Sequence, residues 1–262
     1  MHLSELAIYP VKSCAQIRQD AIRIDRFGPH RDRRWMVVDN KDMFLTQRKL
    51  GRMCLIQPEL MESGVLLHAP GMPDLMITRP TSGVSRTVRV WQDHCQALDA
   101  GDAAAAWLSE FLTTDCRLVY FPEQMRRAVD PDYARPGDVT AFSDGFPFLL
   151  ISQASLDDLN RRLVTPIPMA RFRPNLVVTG CEPYAEDTWH RLRIGELTFR
   201  VVKPCSRCVI PTIDLATGER GEEPTRTLAT YRKRDNRIYF GQNVIADGEG
   251  ELQVGVSVEV LE

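Results

Sequence analysis

Apolar and polar residues alternate along most of the first third of the chain. A period of two predicts short, half-buried strands over Leu3–Tyr9, Ala21–Ile24, Arg34–Val38, Leu55–Glu59, Val65–His68 and Thr87–Trp91. Turn residues separate them, Gly28–Pro29 and Pro70–Gly71 among them. The period then changes. From Asp102, a residue suited to capping a helix start, Ala104, Trp107, Leu108, Phe111 and Leu112 follow the spacing of one buried helical face. Cys116–Phe121 returns to strand character, and Pro122–Asp138, with three prolines and many charges, reads as a boundary or a long surface loop.

A second helix is predicted from Ser152, with Leu156, Leu159 and Leu163 on one stripe. Leu192 and Ile194 alternate with arginines up to Gly195–Glu196. That pair suits a two-residue hairpin turn into Leu197, Phe199 and Val201. The nine residues from Leu252 to Val260 alternate without a break and predict one half-buried strand. Strands outnumber helices and do not alternate regularly with them, so a parallel βαβ sheet is disfavoured. The expected class is mostly β with added helices, built on barrels.

Composition narrows the function classes. The 262 residues are 44% apolar and 26% charged, as in an ordinary soluble domain or pair of domains, and the net charge of −2 excludes a global nucleic-acid footprint. Any positive surface must be local. Only five of the 33 basic residues are lysines. No basic segment leads into an apolar run at the start, and no apolar run reaches membrane-spanning length, so neither a signal peptide nor a membrane partner is expected. Seven cysteines without an export signal fit a reducing, cytoplasmic setting.

Four local patterns could carry chemistry. Lys203-Pro-Cys205-Ser-Arg-Cys208 holds a lone CxxC. A zinc site would need a second ligand pair, and a thioredoxin-like pair should open a helix, whereas Val209–Ile213 is β-branched and interrupted by proline. A thiolate offered from a strand end to a soft metal, with Lys203 and Arg207 favouring its charge, remains beside the alternative of two buried cysteines acting as small hydrophobes. Tyr9-Pro-Val-Lys12-Ser13-Cys14 follows a predicted strand and could hold a phosphate, although it lacks the glycines of a P-loop. Arg31-Asp-Arg33-Arg34 could supply a phosphate fork or a solvated face. In Arg171-Phe-Arg173-Pro-Asn175, an arginine and an asparagine could read a polar heterocycle or simply face water.

Taken in order, these stretches resemble the MOSC-domain family, and most of all the branch that contains the mitochondrial amidoxime-reducing component and its bacterial relatives. The resemblance rests on YPVKSC at 9–14, RDRRW at 31–35, SDGFPFLLISQASLDDLN at 143–160, RFRPNLVVTGC at 171–181, YAEDTW at 184–189, CSRC at 205–208, FGQN at 240–243 and VGVSVEV at 254–260. Several motifs in a fixed order are far more specific than one.

The resemblance implies an N-terminal MOSC-type β-barrel domain over residues 1–121 and a MOSC domain over 122–262, with a molybdopterin-type molybdenum cofactor between them. It implies Cys208 as the thiolate ligand to molybdenum. Lys12, Ser13 and Arg33 would hold the cofactor phosphate, and Arg173 and Asn175 would contact the cofactor, with Asp144 in the same pocket. The implied activity is reduction of small N-hydroxylated compounds. The alternative is a cofactor or sulfur carrier without turnover. Pyridoxal phosphate, which accompanies the wider superfamily through sulfurase fusions, is not expected. The cysteines outside CSRC lack iron–sulfur spacing, so no cluster is expected in the chain. Relatives can carry a C-terminal ferredoxin-like domain or an upstream membrane anchor, and neither is expected here. Electrons would then come from a separate ferredoxin, flavodoxin or reductase, and Arg171 and Arg207 would suit an acidic donor.

Overall fold

The computed structural model describes residues 1–262. The first half is organised by Trp35–Asp39, Cys116–Tyr120, Asp93–Asp99 and Ser85–Val90, which pair antiparallel in that order. Residues 42–45 run between the two outer strands. Leu45 N donates to Val37 O at 2.8 Å and Phe44 N to Arg89 O at 3.1 Å, so the sheet closes into a small barrel. Two of its strands, Trp35–Asp39 and Cys116–Tyr120, are buried on both faces. Met36, Val38, Val119 and Phe121 enter one core, while Trp35, Val37, Leu118 and Tyr120 enter another. Burial on both faces is why Trp35–Val38 and Leu118–Phe121 are continuous apolar runs rather than the half-buried alternation expected of the first third. The second core is completed by helix Asp102–Leu112, through Trp107, Leu108, Phe111 and Leu112, and by a three-stranded meander from Gln57 to Thr78.

The second half is a larger barrel. Val258–Val260, Arg191–Ile194, Leu197–Ser206, Arg237–Ala246, Phe148–Ser152, Leu176–Thr179 and His2–Ile8 lie side by side in that order. The ring is completed by the ends of the chain: Leu3 N donates to Val256 O at 2.9 Å and Val258 N to Met1 O at 3.0 Å. Leu3, Leu6, Phe148, Leu150, Leu176, Val178, Leu192, Ile194, Phe199, Val244 and Val258 fill the interior. The N-terminal strand therefore belongs to the barrel of the second half, and its end, at Tyr9, enters the first half. That crossing brings residues 9–14 to the seam between the two bodies.

The mostly β class with added helices is as expected, and most predicted elements form within two residues of their predicted bounds. Four local readings need correction. Asp102 is the first helical residue rather than the cap; Gly101 caps the helix, with its N–H bonded to Asp99. The stretch from Gly51 to Leu55 is a 3₁₀ turn, and the strand starts at Gln57. The C-terminal alternation is two strands: Gly250–Gln253 pairs with Ala21–Asp25, and Val258–Val260 pairs with Arg191–Ile194. The chain turns at Gly255, at φ +93°, so one pattern serves two sheets. Strands Leu75–Thr78, Asp93–Asp99, Phe148–Ser152 and Arg237–Ala246 escape the pattern; in Asp93–Asp99 the inward residues are only Cys95 and Ala97.

Helix Gln153–Arg162 begins as its sequence predicts. Ser152 Oγ accepts from Ser155 N at 3.1 Å, satisfying one orphan donor of the first turn. The hairpin at Gly195–Glu196 has the predicted two-residue turn, with Ile194 opposite Leu197.

Candidate functional site

Seven separate segments meet in one cleft of about 760 Å³ including its open mouth. Its walls include every residue singled out above for the cofactor: Lys12, Ser13, Arg33, Asp144, Arg173, Asn175 and Cys208. Five cations and a single carboxylate line it (Lys12, Arg33, Arg48, Arg173 and Arg207 against Asp144), although the whole chain carries −2. The positive field that composition excluded globally is concentrated here.

The cradle starts at the strand end His2–Ile8. Tyr9 N donates to Asp32 Oδ1 at 2.7 Å, and Asp32 Oδ2 accepts from Arg33 Nη1 at 2.6 Å. Asn175 ties the same knot. Its Nδ2 donates to Ala7 O and Asp32 Oδ1, and its Oδ1 accepts from Arg33 Nη1 and Leu149 N. The asparagine amide is thus fully engaged with the protein, and it acts on the cleft by fixing Arg33. The Arg33 and Arg173 guanidinium groups lie over the Tyr9 ring, at 4.4 and 4.1 Å. Arg173 Nη1 donates to Cys14 O at 2.6 Å, while its Nη2 is buried without a partner. Of the three arginines in RDRRW, only Arg33 lines the cleft; Arg31 donates to Met61 and Glu62 carbonyls, and Arg34 is buried against Phe121 O and Glu123.

Lys12 is buried and donates to Phe142 O at 2.7 Å and to Asp144 Oδ1 at 2.5 Å. One of its three N–H donors is left for a ligand. Burial lowers its pKa to about 8, with Asp144 opposing the drop. Burial would raise the Asp144 carboxyl, but Lys12 and Arg48 hold it well below the usual carboxylate range. Burial also pushes the Asp32 carboxyl up, with Arg33 opposing.

Backbone strain gathers at the cleft. Ser13, Arg33 and Arg173 all sit at positive φ (69°, 45° and 61°), a conformation that non-glycine residues adopt rarely. Such outliers persist only where the surroundings over-determine them, and they cluster at ligand sites.

Cys208 stands two residues beyond the end of strand Leu197–Ser206, as a strand-end thiol. A short 3₁₀ turn, Ile210–Thr212, follows where no helical start was expected. The cations around the two sulfurs differ from expectation. Arg207 Nη1 donates to Cys205 Sγ at 3.0 Å, and Lys203 lies over the Tyr133 ring at 3.9 Å. The cation beside Cys208 is Arg48, from the first half of the chain. Burial disfavours its charge, but Asp144 and Cys208 beside it outweigh that and raise its pKa. Arg48 sits in Gln47-Arg48-Lys49, which matches no motif, so the sequence carries no signal for it. Arg171 donates to Asp214 Oδ2 at 2.7 Å and Arg207 also to Phe172 O. Neither is the free docking charge expected for an acidic donor.

The sequence pattern of the MOSC N-terminal beta barrel domain matches residues 1–115, and that of the MOSC domain matches residues 137–259. The chain belongs to the MOSC-domain family. It is 36% identical to mitochondrial amidoxime-reducing component 1 of Homo sapiens over 99% of this chain and 82% of that protein. Mitochondrial amidoxime reducing component 2 of Bos taurus is also 36% identical, over 97% of this chain and 81% of that protein. Among solved structures, the YuaD protein from Bacillus subtilis aligns over 98% of this chain and 93% of that one, with 11% identity and a TM-score of 0.45. No helix of this MOSC protein is long and apolar enough to cross a membrane.

The donor set of the cleft suits a molybdenum–pterin phosphate. A soft thiol stands on one wall, a free ammonium N–H and two guanidinium groups on another, and two buried guanidinium nitrogens, Arg173 Nη2 and Arg207 Nε, lack partners. No cluster of three His, Cys, Asp or Glu residues forms a metal site of its own.

Proposed function

We propose that this protein is a molybdenum-cofactor-dependent reductase of N-hydroxylated compounds, supplied with electrons by a separate protein. The observation that carries the reading is the convergence of Lys12, Ser13, Arg33, Asp144, Arg173, Asn175 and Cys208 on one cleft lined by five cations and one carboxylate. The similarity to amidoxime-reducing components over nearly the whole chain supports the same reading. In it, residues 1–121 and 122–262 are the two domains that share the cofactor.

The assigned roles follow from the chemistry of each group. Lys12 offers a point charge and Arg33 a fork to the terminal phosphate, and Ser13 adds a hydroxyl donor. Asp144 holds Lys12 and Arg48 in place from the rim. Asn175 fixes Arg33, and Arg173 turns its unpartnered nitrogen to the ligand. Cys208 supplies the thiolate, with Arg48 beside it. Bound there, the cofactor would supply the two-electron chemistry, while the protein orients it and sets its field.

The test is turnover by purified protein from a cofactor-competent host. A reduced dye should be oxidised when benzamidoxime or hydroxylamine is added. Loaded protein that oxidises no dye with either compound would favour a cofactor or sulfur carrier instead.

A further inference from the structure

The cleft does not end at Cys208. A broad groove of about 1630 Å³, open to solvent, continues outward past Asp144, Cys205 and Cys208 to Trp91. Trp91 is unusual in three respects. It is the only exposed tryptophan of the four, at 42% against 4–6% for Trp35, Trp107 and Trp189. It occupies the turn between strands Ser85–Val90 and Asp93–Asp99 at φ +57°, where a bulky side chain is an outlier. Its ring is also braced: Phe44 meets it edge-on at 5.1 Å, and the Arg48 guanidinium lies over it at 4.7 Å. That same Arg48 bonds to Asp144 at 2.8 Å. One side chain therefore links the exposed ring to the wall beside Cys208. A tryptophan strained, braced and left half open at the mouth of a site is a ready-made stacking surface.

The charges of the groove select what would stack there. Whereas the inner cleft has five cations and one carboxylate, the outer groove is close to balanced. It is lined by Arg48, Arg127, Lys203 and Arg207 against Asp93, Asp130 and Asp144. Arg127 is buried and spent on Asp93 and the carbonyls of Ala141 and Ser143. The groove thus offers an aromatic face and little net field, which suits a neutral planar group rather than an ion.

We propose that Trp91 is a specificity-determining residue: it stacks the planar, neutral aromatic part of an N-hydroxylated substrate, while the N–OH end reaches inward to Cys208. This rests on the reductase reading above and names the substrate class within it. Small compounds without a ring would not use Trp91.

Two measurements on the full-length protein test this. In the first, benzamidoxime and hydroxylamine are compared as substrates of the cofactor-loaded wild type, Trp91→Asn and Trp91→Phe. Asparagine tolerates the left-handed conformation and phenylalanine keeps a ring. KM for benzamidoxime should rise about fivefold or more in Trp91→Asn, the scale of one aromatic stack. It should stay near wild type in Trp91→Phe, with kcat and the hydroxylamine KM unchanged in both. Equal effects on both substrates, or none, would overturn the proposal. In the second, benzamidoxime is titrated into ¹⁵N-labelled protein and the four indole N–H signals are followed, Trp91 being assigned by its loss in Trp91→Asn. The Trp91 signal should move saturably while the buried three stay put. A Trp91 signal that does not move sinks the stacking role. If it moves but the loaded wild type turns over neither compound, the reductase reading fails and the binding surface stands.

Discussion

Arg33 is held by four contacts before any ligand arrives: Asp32, Asn175, the Arg173 carbonyl and the Tyr9 ring. A guanidinium fixed this way has lost its conformational freedom in folding, so a phosphate meets a preorganised fork. Arg33→Ala should therefore weaken cofactor retention by about 1.5–3 kcal/mol, the worth of a charged hydrogen bond. Pterin fluorescence after gel filtration reads this out, and unchanged occupancy would exclude the role. Lys12 makes the same interaction sensitive to pH. Its pKa falls from 10.5 to about 8 on burial, so the ammonium loses its charge in the folded protein before it does in the unfolded chain. Two opposite trends follow as pH rises from about 8 towards 10.5. Stability of the empty protein gains, because the unfolded chain then binds the extra proton. Retention of an anionic cofactor falls, because the cation that holds it is lost. In Lys12→Met the drop in retention above pH 8 should be absent, and the same drop in that variant would assign it elsewhere.

At the scale of elements, what the sequence shows depends on whether burial is one-sided. Helix Asp102–Leu112 and the hairpin at Gly195–Glu196 have one buried face each, and their periods are plain. Strand Asp93–Asp99 buries only small side chains on its inner face, and its period is too weak to read. The C-terminal alternation misleads because a period of two persists through the turn at Gly255, while the partners change from Ala21–Asp25 to Arg191–Ile194. Gly241, in the FGQN stretch, has a structural meaning that spacing does not reveal. It sits at φ +80°, and a Cβ there would lie 2.6 Å from Ile151 Cγ1 and 2.9 Å from Leu150 O. Gly241→Ala should destabilise the barrel by more than about 1 kcal/mol, since alanine gains nothing at a positive φ and meets backbone besides. Urea unfolding would measure it; an unchanged midpoint would mean that the strand Phe148–Ser152 can move aside.

Across the whole molecule, the site exists because the chain crosses itself. The first strand is built into the second barrel, so Tyr9–Cys14 emerges at the seam, opposite Phe172–Asn175 and the strand end before Cys208. The motifs made the cradle legible as separate pieces. Their convergence was legible only through the family resemblance, and Arg48 not at all, because its importance comes only from reaching across the seam to Asp144 and Cys208. The positive cleft in a chain of net charge −2 also bears on electron supply. In the proposed reaction an acidic donor protein is drawn to that field, so turnover with a ferredoxin or flavoprotein reductase system should fall as salt rises. NADH with this chain alone should give negligible turnover, and robust NADH-dependent activity would require a second redox centre within the chain.

The central claim is that the cleft holds a molybdenum cofactor through Cys208. Molybdenum-edge X-ray absorption on protein from a cofactor-competent host addresses it most directly, with wild type, Cys205→Ala and Cys208→Ala measured side by side. The account predicts molybdenum with a protein thiolate in the wild type, the same sulfur coordination in Cys205→Ala, and one sulfur fewer in Cys208→Ala with the pterin retained. Wild-type protein without molybdenum, or loss of the thiolate in Cys205→Ala alone, would contradict it.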